Sequence, residues 1–542
     1  MTFPTSDEFE VRFLAGGRAI RVRAGSTVMD AALLAGVWID APCGGEGRCG
    51  KCRVKLSGEA APPTAEELEH LSPEELGGGI RLACQTVVTG PLSAEPTGAV
   101  AWASAKTGLL EETTLAVDLP ELRAKTYAAP PLGAALDAGT TTLCVSLIDL
   151  TTGERLAVAS AENPQTRFGA DVMTRIERCR NDPRCLSEMH AGVTASFNQL
   201  LADVAATAGR TPAEIVRMVI VGNTTMIHLV LGEDPSPLGS HPFEPPVHGP
   251  VDVSASSIGM DAADGARFLS PRFLSGFLGA DIVAVILVSG MDRSTDDCLV
   301  VDLGTNGEIA VGNKERVAAC STAAGPAFEG MQISHGMRAV PGAIESLSRD
   351  GLLLPRVLGG GEPEGICGSG LLDAVAALLE AGFLKPSGRL VPPADSERTA
   401  AGRIRDSDSV REFVLSPGSD ITLTQKDIRE FQLAKGAVRS GIEVLRNRLS
   451  LNYEKLARVF LAGVFGNFLK PASAAAVGLF PEALEGRIDF AGNAALLGAE
   501  MMLASEREWK RALDISNSVE VVELSGDPLF EKEFIGNLAF PS

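Results

Sequence analysis

The sequence predicts a multidomain chain of mixed α+β and α/β class: a small β-rich N-terminal domain around a cysteine loop, a linker, and two larger lobes that repeat one strand–turn–strand plan. Three observations carry this reading. The 542 residues exceed what a single core usually encloses. Four cysteines, Cys43, Cys49, Cys52 and Cys84, gather within the first hundred residues. A D-x-G-T turn between apolar runs occurs at Asp137 and again, 165 positions later, at Asp302.

Residues 9 to 23 alternate around Phe9, Val11 and Phe13, then Ile20 and Val22, with Gly16 and Gly17 between them, which reads as a β-hairpin. Thr27 is an N-cap for a helix through Ala35. Arg53 to Leu56 and Arg81 to Val88 read as strands, with an acidic helix from Ala65 to Leu71 between them. Strand, hairpin, helix, loop and late strand match the β-grasp plan of small ferredoxins. Residues 96–130, rich in Ala, Pro and Thr, read as a linker that would let the first domain move. The domains are accordingly set at 1–95, 96–130, 131–295 and 296–542.

The cysteine loop reads APCGGEGRCGKC, a C-x5-C-x2-C run completed by Cys84. Glycines at 44, 45, 47 and 50 let a backbone curl around a small inorganic core and aim N–H groups at sulfur. This spacing, one residue longer in the first gap than the plant-type C-x4-C-x2-C, points to a [2Fe–2S] cluster held by Cys43, Cys49, Cys52 and Cys84. A zinc site is the competing reading, but the chain has one C-x2-C pair and its fourth cysteine stands alone. The other six cysteines, Cys144, Cys179, Cys185, Cys298, Cys320 and Cys367, lack framework spacing and read as buried thiols.

A formal net charge of −21 argues against nucleic acid and anionic membrane surfaces as partners. The start, MTFPTSDEF, lacks the basic and apolar stretches of a signal peptide, and no apolar run reaches the roughly 18 residues of a spanning helix. The expected location is cytoplasmic. His228, His241, His248 and His335 have no metal-ligand spacing and read as loop or core residues.

In the lobes, Leu136 leads into D-A-G-T-T-T at Asp137–Thr142, followed by LCVSLIDL and a turn at Thr151–Gly153. LVVDLGTNGEIAVG repeats the plan with Asp302, Gly304, Thr305, Asn306 and Gly307. An acid at a strand end can hold a hydrated Mg²⁺, and the Gly-Thr turn at Gly139, Thr140 and Thr141 offers N–H and hydroxyl groups to phosphate, as do Gly304, Thr305 and Asn306. Either hairpin alone reads equally as an ordinary turn; the duplication argues for nucleotide. VFLAGVFGNFL places Gly463 and Gly466 after a buried strand, where bare backbone can lie beside an adenine ring. GICGSGLLDAVAALL places Gly368 and Gly370 at the start of an apolar helix.

Together these segments resemble the phosphate and adenosine motifs of the acetate and sugar kinase, Hsp70 and actin superfamily. That resemblance implies two RNase-H-like lobes closing on ATP, with Asp137 and Asp302 as the catalytic acids. With NPQTRFGADVMTRI from Asn163, VGNTTMIHLVLG from Val221, GFLGADIVA from Gly276, CSTAAGPAFEGMQISHGMRAVPGAIE from Cys320 and the ferredoxin-like start, the chain resembles the reductive activators of corrinoid-dependent enzymes. The resemblance implies an ATPase that transfers one electron from a [2Fe–2S] cluster to Co(II) of a corrinoid methyl-carrier protein, restoring Co(I). It also implies an upstream ferredoxin or reductase as donor. A homodimer stays open as an assembly. The alternatives are an ATP-driven donor to another low-potential acceptor such as a dehydratase, a ferredoxin-fused kinase, and a nucleotide-binding redox sensor without turnover. Asn163, Asn223, Arg167 and Arg338 read equally as phosphate contacts or loop-orienting residues.

Overall fold

The computed structural model describes residues 8–13, 18–35, 39, 47, 50, 52–96, 114–123, 127, 129–169, 171–349, 351–392, 401–407, 410–463 and 469–541. They divide into two compact units that alternate along the chain: Met1–Glu111, Thr322–Gly492 and Ser525–Ser542 in the first, Glu112–Ser321 and Asn493–Leu524 in the second.

The first unit begins with β1 (Glu8–Phe13) and β2 (Arg18–Arg23), an antiparallel pair in which Phe9 faces Val22 and Val11 faces Ile20. After the helix Val28–Ala35 come β3 (Arg53–Ala60), β4 (Ile80–Leu82) and β5 (Val88–Pro96), completing a sheet of order β2-β1-β5-β3-β4. The β1–β5 pairing is parallel and the rest antiparallel. This is the expected β-grasp plan, with its own core of Val11, Phe13, Val28, Val54, Leu82 and Ala94. The expected strand Arg81–Val88 is corrected: the ladder breaks after Leu82, and residues 83–87 form a turn in which the Gln85 and Thr86 N–H groups donate to Leu82 O. That break lets Cys84 leave the sheet. The acidic helix Ala65–His70 forms where expected behind a Thr64–Glu67 capping box. A second short helix, Pro73–Gly77, repeats the box at Ser72 and Glu75.

In the second unit, residues 114–123, read from sequence as linker, are bound structure. Leu115 N–H donates to Gly153 O, Asp118 bridges Ser505, and Leu119 is buried. β6 (Leu132–Ala138), β7 (Thr142–Asp149) and β8 (Arg155–Glu162) form the expected meander. β9 (Ile215–Gly222) runs parallel to β6, and β10 (Val251–Ser254) and β11 (Arg267–Ser270) complete the order β10-β11-β9-β6-β7-β8. β6 and β9 are apolar almost throughout, as strands covered on both faces require. The second copy opens with β12 (Cys298–Leu303), β13 (Gly307–Asn313) and β14 (Arg316–Thr322), of which β12 and β13 pair antiparallel.

The chain then returns to the first unit. β15 (Ala343–Leu347), β16 (Pro355–Val357) and β17 (Gly365–Ile366) make a small sheet of order β16-β15-β17 followed by the helix Gly368–Glu380. β18 (Ile404–Ser407), β19 (Val410–Val414) and β20 (Thr422–Thr424) form another. The long helix Gln425–Arg448 buries Val438, Ile442 and Leu445, so its apolar stripe is a core face. β21 (Arg458–Ala462) and β22 (Ile488–Gly492) pair in parallel. Among the described residues no helix is long and apolar enough to cross a membrane.

Candidate redox and nucleotide sites

Cys43 and Cys49 lie outside the described residues; Cys52 and Cys84 are both buried, with their sulfurs 3.2 Å apart. Two described glycines precede Cys52 in the sequence. Gly47 and Gly50 adopt φ of +75° and +63°. A Cβ at Gly47 would come within 2.9 Å of the Gln85 amide, and one at Gly50 within 3.0 Å of His70. Two converging thiols in a turn that excludes side chains fit an iron–sulfur cluster. Gln85 Nε2 donates to Cys84 Sγ at 3.4 Å.

Behind Cys84 stands Glu67, fully buried. It takes Arg81 on both oxygens at 2.9 and 2.7 Å, the Leu82 N–H at 2.9 Å and the Thr86 hydroxyl at 3.1 Å. Burial alone would raise this carboxyl, but Arg81 and the Leu82 and Thr64 N–H groups outweigh it and hold the pKa below the usual range. Leu82 and Thr86 flank the turn, so Glu67 fixes Cys84 in place. The helix was read from sequence; its capping box and the reach of Glu67 to Arg81 were not.

The two D-x-G-T turns sit at corresponding strand ends in the second unit. Across the ladder Asp137 faces Cys144, and Asp302 faces Glu308. Gly139 is obligatory, since a Cβ there would lie 2.5 Å from Thr142 O. The first turn is held by side chains from three other segments. Asn163 Nδ2 donates to Gly139 O at 2.8 Å, Arg175 to Thr140 O at 2.6 Å, and Asn223 Nδ2 to Thr140 Oγ1 at 3.1 Å. Asn163 and Asn223 are thus loop-orienting residues in this structure. Arg167 is exposed and lies over Phe168.

Asn223 and Asn493 play matching parts. Each caps a helix through its side-chain oxygen, to Met226 N and Leu496 N at 2.9 Å, and each spends its amide on the first hairpin. Asn493 Nδ2 reaches Asp137 Oδ2 at 2.8 Å. The sequence signal was a G-N pair after a strand at Gly222-Asn223 and Gly492-Asn493. Only Asn223 was singled out from it.

Four carboxyls interact at these turns. Burial pushes Asp137 up to about 6, with Asn493 opposing. Asp281, at the start of the helix Ala280–Ser289, rises to about 7 by burial, opposed by the Ile282 N–H and reinforced by the charge of Asp137. Asp302 rises to about 7 through burial and the charges of Asp281 and Asp137. Glu308 is pushed well up by burial and by Asp281 and Asp302. Asp281 and Glu308 were not among the residues expected from sequence, because the chain folds them against the hairpins from elsewhere or from the opposite strand. Asp137, Asp281 and Asp302 keep partial exposure, so the group is open on one side. Among the described residues no three His, Cys, Asp or Glu side chains are drawn together closely enough to hold a metal unaided.

The remaining expected residues lie in the first unit. Gly463 ends β21 with φ +92° and donates its N–H to Gly492 O. Gly466 lies outside the described residues. Gly368 opens the helix Gly368–Glu380, and Gly370 faces β15, where a Cβ would lie 2.0 Å from Ile344 O. Close helix–strand packing accounts for that glycine.

Comparison with known proteins decides what this combination belongs to. Residues 13–89 match the 2Fe-2S iron-sulfur cluster binding domain, 132–294 the RACo middle region, and 296–542 the C-terminal domain of RACo, the ASKHA domain. The corrinoid activation enzyme RamQ of Eubacterium limosum is 33% identical over 76% of this chain and 70% of its own length. The chain belongs to the family of reductive activators of corrinoid proteins. The solved structure of a reductive activator for corrinoid, iron-sulfur protein is 29% identical, with a TM-score of 0.71 and 98% of each chain covered. The Co(II) methylated amine-specific corrinoid protein reductase of Methanosarcina barkeri is 26% identical over 69% of this chain and 70% of its own.

Within this family member the other expectations resolve simply. Among the described residues none of the six remaining cysteines forms a disulfide; five are buried and Cys185 is half-buried. His228 is a core residue: its Nδ1 lies 2.7 Å from Thr224 O, its Nε2 accepts from Val247 N–H, and burial lowers its pKa.

Proposed function

We propose that this chain is an ATP-dependent reductive activator that passes one electron from its [2Fe–2S] domain to Co(II) of a corrinoid methyl-carrier protein, returning it to Co(I). The observation that carries the reading is the pairing, on one chain, of two buried thiols converging at 3.2 Å in a glycine-turned loop with a duplicated acid-bearing phosphate turn. When bound, the cluster supplies single electrons at low potential. Cys43, Cys49, Cys52 and Cys84 would hold it, and Glu67 and Gln85 orient and hydrogen-bond the Cys84 segment.

At the nucleotide site, Asp137 and Asp302, with Asp281 and Glu308 beside them, would hold a hydrated Mg²⁺, which would supply charge neutralisation at the phosphates. This explains acids that are desolvated yet not closed around an ion. The turns Gly139–Thr141 and Gly304–Asn306 present N–H and hydroxyl groups to phosphate, braced at the first turn by Asn163, Arg175 and Asn223. Gly368, Gly463 and Gly466 keep the adenosine contacts that the sequence motifs imply, and Gly370 lets the Gly368 helix start sit close to β15. An upstream ferredoxin or reductase refills the cluster. The expected division into 1–95, 96–130, 131–295 and 296–542, with residues 114–123 packed on the following lobe, and a cytoplasmic location belong to the same reading.

The test mixes the reduced holoprotein with a Co(II)-corrinoid protein, with and without MgATP, and follows the Co(I) absorption. ATP-dependent Co(I) formation is expected. Phosphate release without any cobalt reduction, across candidate corrinoid proteins, would overturn the assignment.

A further inference from the structure

We propose that Arg356 is the positioning residue of the electron-carrying domain. Clasped between Asp30 of that domain and Glu345 of β15, it seats the domain reversibly on the small β15–β17 sheet, and the seat tightens when the cluster is reduced. The inference rests on the cluster reading above.

The geometry is that of a two-sided clasp. Arg356 donates to Asp30 Oδ1 at 2.7 Å and to Thr27 Oγ1 at 3.1 Å, and pairs with Glu345 at 2.6 Å. The Asp30 and Glu345 side chains are 5% and 15% exposed, and this cation offsets their burial, with the charge of Lys470 also acting on Glu345. Asp30 is committed on its other oxygen to the Thr27 N–H, in a capping box at the start of the helix Val28–Ala35. That helix start is tied to the cysteine turn, with Met29 N–H donating to Ala83 O and Val28 N–H to Thr86 O. The clasp therefore bears on the backbone that carries Cys84.

The contact is built to open. The ferredoxin-like core is composed entirely of residues from its own domain, and Ala343, Leu358 and Cys367 form a separate cluster. Around Arg356 the facing surfaces leave a cavity of about 390 Å³, where the buried Ser26 hydroxyl has no hydrogen-bond partner. A second link, Arg23 to Gly360 O, is long at 3.4 Å. Polar, loosely packed contacts between separate cores are the kind that permit relative motion.

Charge gives the clasp its redox dependence. Burial would weaken the Arg356 cation, but the charges of Glu345 and Asp30 and the hydrogen bond to Asp30 outweigh it and keep it protonated. The Thr27–Asp30 box that receives Arg356 is hydrogen-bonded through Met29 and Val28 to the Ala83–Thr86 turn that carries Cys84, so the cation stands beside the segment that holds the cluster. One-electron reduction adds a negative charge there without making or breaking a bond, the electron coming from the upstream donor. A nearby cation favours the reduced form. By reciprocity, the reduced form favours the seated domain.

The experiment compares full-length holoprotein with Arg356→Gln, Arg356→Lys and Asp30→Asn, after visible absorption confirms the cluster in each. Amide hydrogen exchange is followed in Val28–Ala35 and β15, with and without reduction, beside the midpoint potential. In the parent, reduction should slow exchange on both faces together. In Arg356→Gln both faces should exchange at one fast rate regardless of redox state, and the potential should fall by ~59 mV for each tenfold loss of redox preference. Arg356→Lys should retain part of both effects, and Asp30→Asn should loosen both faces. A potential that moves without a change in exchange would overturn the seat, exchange that ignores reduction in the parent would overturn its redox dependence, and failure of cobalt reduction alone would bear only on the function proposed above.

Discussion

The two D-x-G-T turns share a backbone plan and differ in what faces the acid. Asp137 is opposite Cys144 and takes an amide hydrogen bond from Asn493. Asp302 is opposite Glu308, with Asp281 and Asp137 as charged neighbours. The first acid accordingly rises to about 6 and the second to about 7. Duplication kept the strand–turn–strand geometry, which follows from local sequence, while the electrostatics diverged with the partners each copy met. The second copy is the one whose charge calls most strongly for a cation.

The largest effect should come from removing either acid. Asp302→Ala and Asp137→Ala should each lower Mg²⁺-dependent ATP turnover roughly a hundredfold or more, by analogy with loss of one charge-stabilising group, and leave the cluster absorption unchanged. Equal turnover in parent and both variants would remove the nucleotide assignment for both hairpins.

A smaller effect separates the copies. Asn493→Ala removes the donor that lowers the Asp137 pKa, so the acidic limb of the ATPase pH profile should move to higher pH. Turnover at neutral pH should fall about tenfold, the low end for loss of a ligand-orienting hydrogen bond. A profile that keeps its position would mean that Asp137 does not set that limb.

Stability should follow the same acids. Their folded pKa values stand above the roughly 3.9 of a free Asp, so between about pH 4 and 7 the folded protein holds protons that the unfolded chain has released. Stability is therefore greatest at the acid end of that window and is lost as pH rises through 6 to 7. Calorimetry of the cation-free protein should show Tm falling by a few degrees, at about 2–4 °C per kcal/mol for a domain of this size. MgATP should offset the fall. A Tm that rises over this interval would show that the acids are not stressed. The smallest effect is expected at Arg167→Ala, where exposure predicts turnover and Tm near parental values.

What the chain determined by itself is the local record. Alternation and apolar runs specify β1, β2 and the meander β6–β8; capping boxes start helices at Thr64 and Ser72; and C-x5-C-x2-C spacing with its glycines marks the cluster loop. These signals are readable because they depend on neighbours a few residues away. Tertiary structure decided the rest. It ended the strand at Leu82 so that Cys84 could turn out, and it bound Leu115 and Leu119 in a stretch that reads as linker. It brought Glu67 to Arg81, Asn493 to Asp137 across 356 positions, and Arg356 to Asp30 across 326. An isolated Glu, Asn or Arg carries no mark of its partner. The energy that commits it arises only when burial removes water and leaves one complementary group within reach.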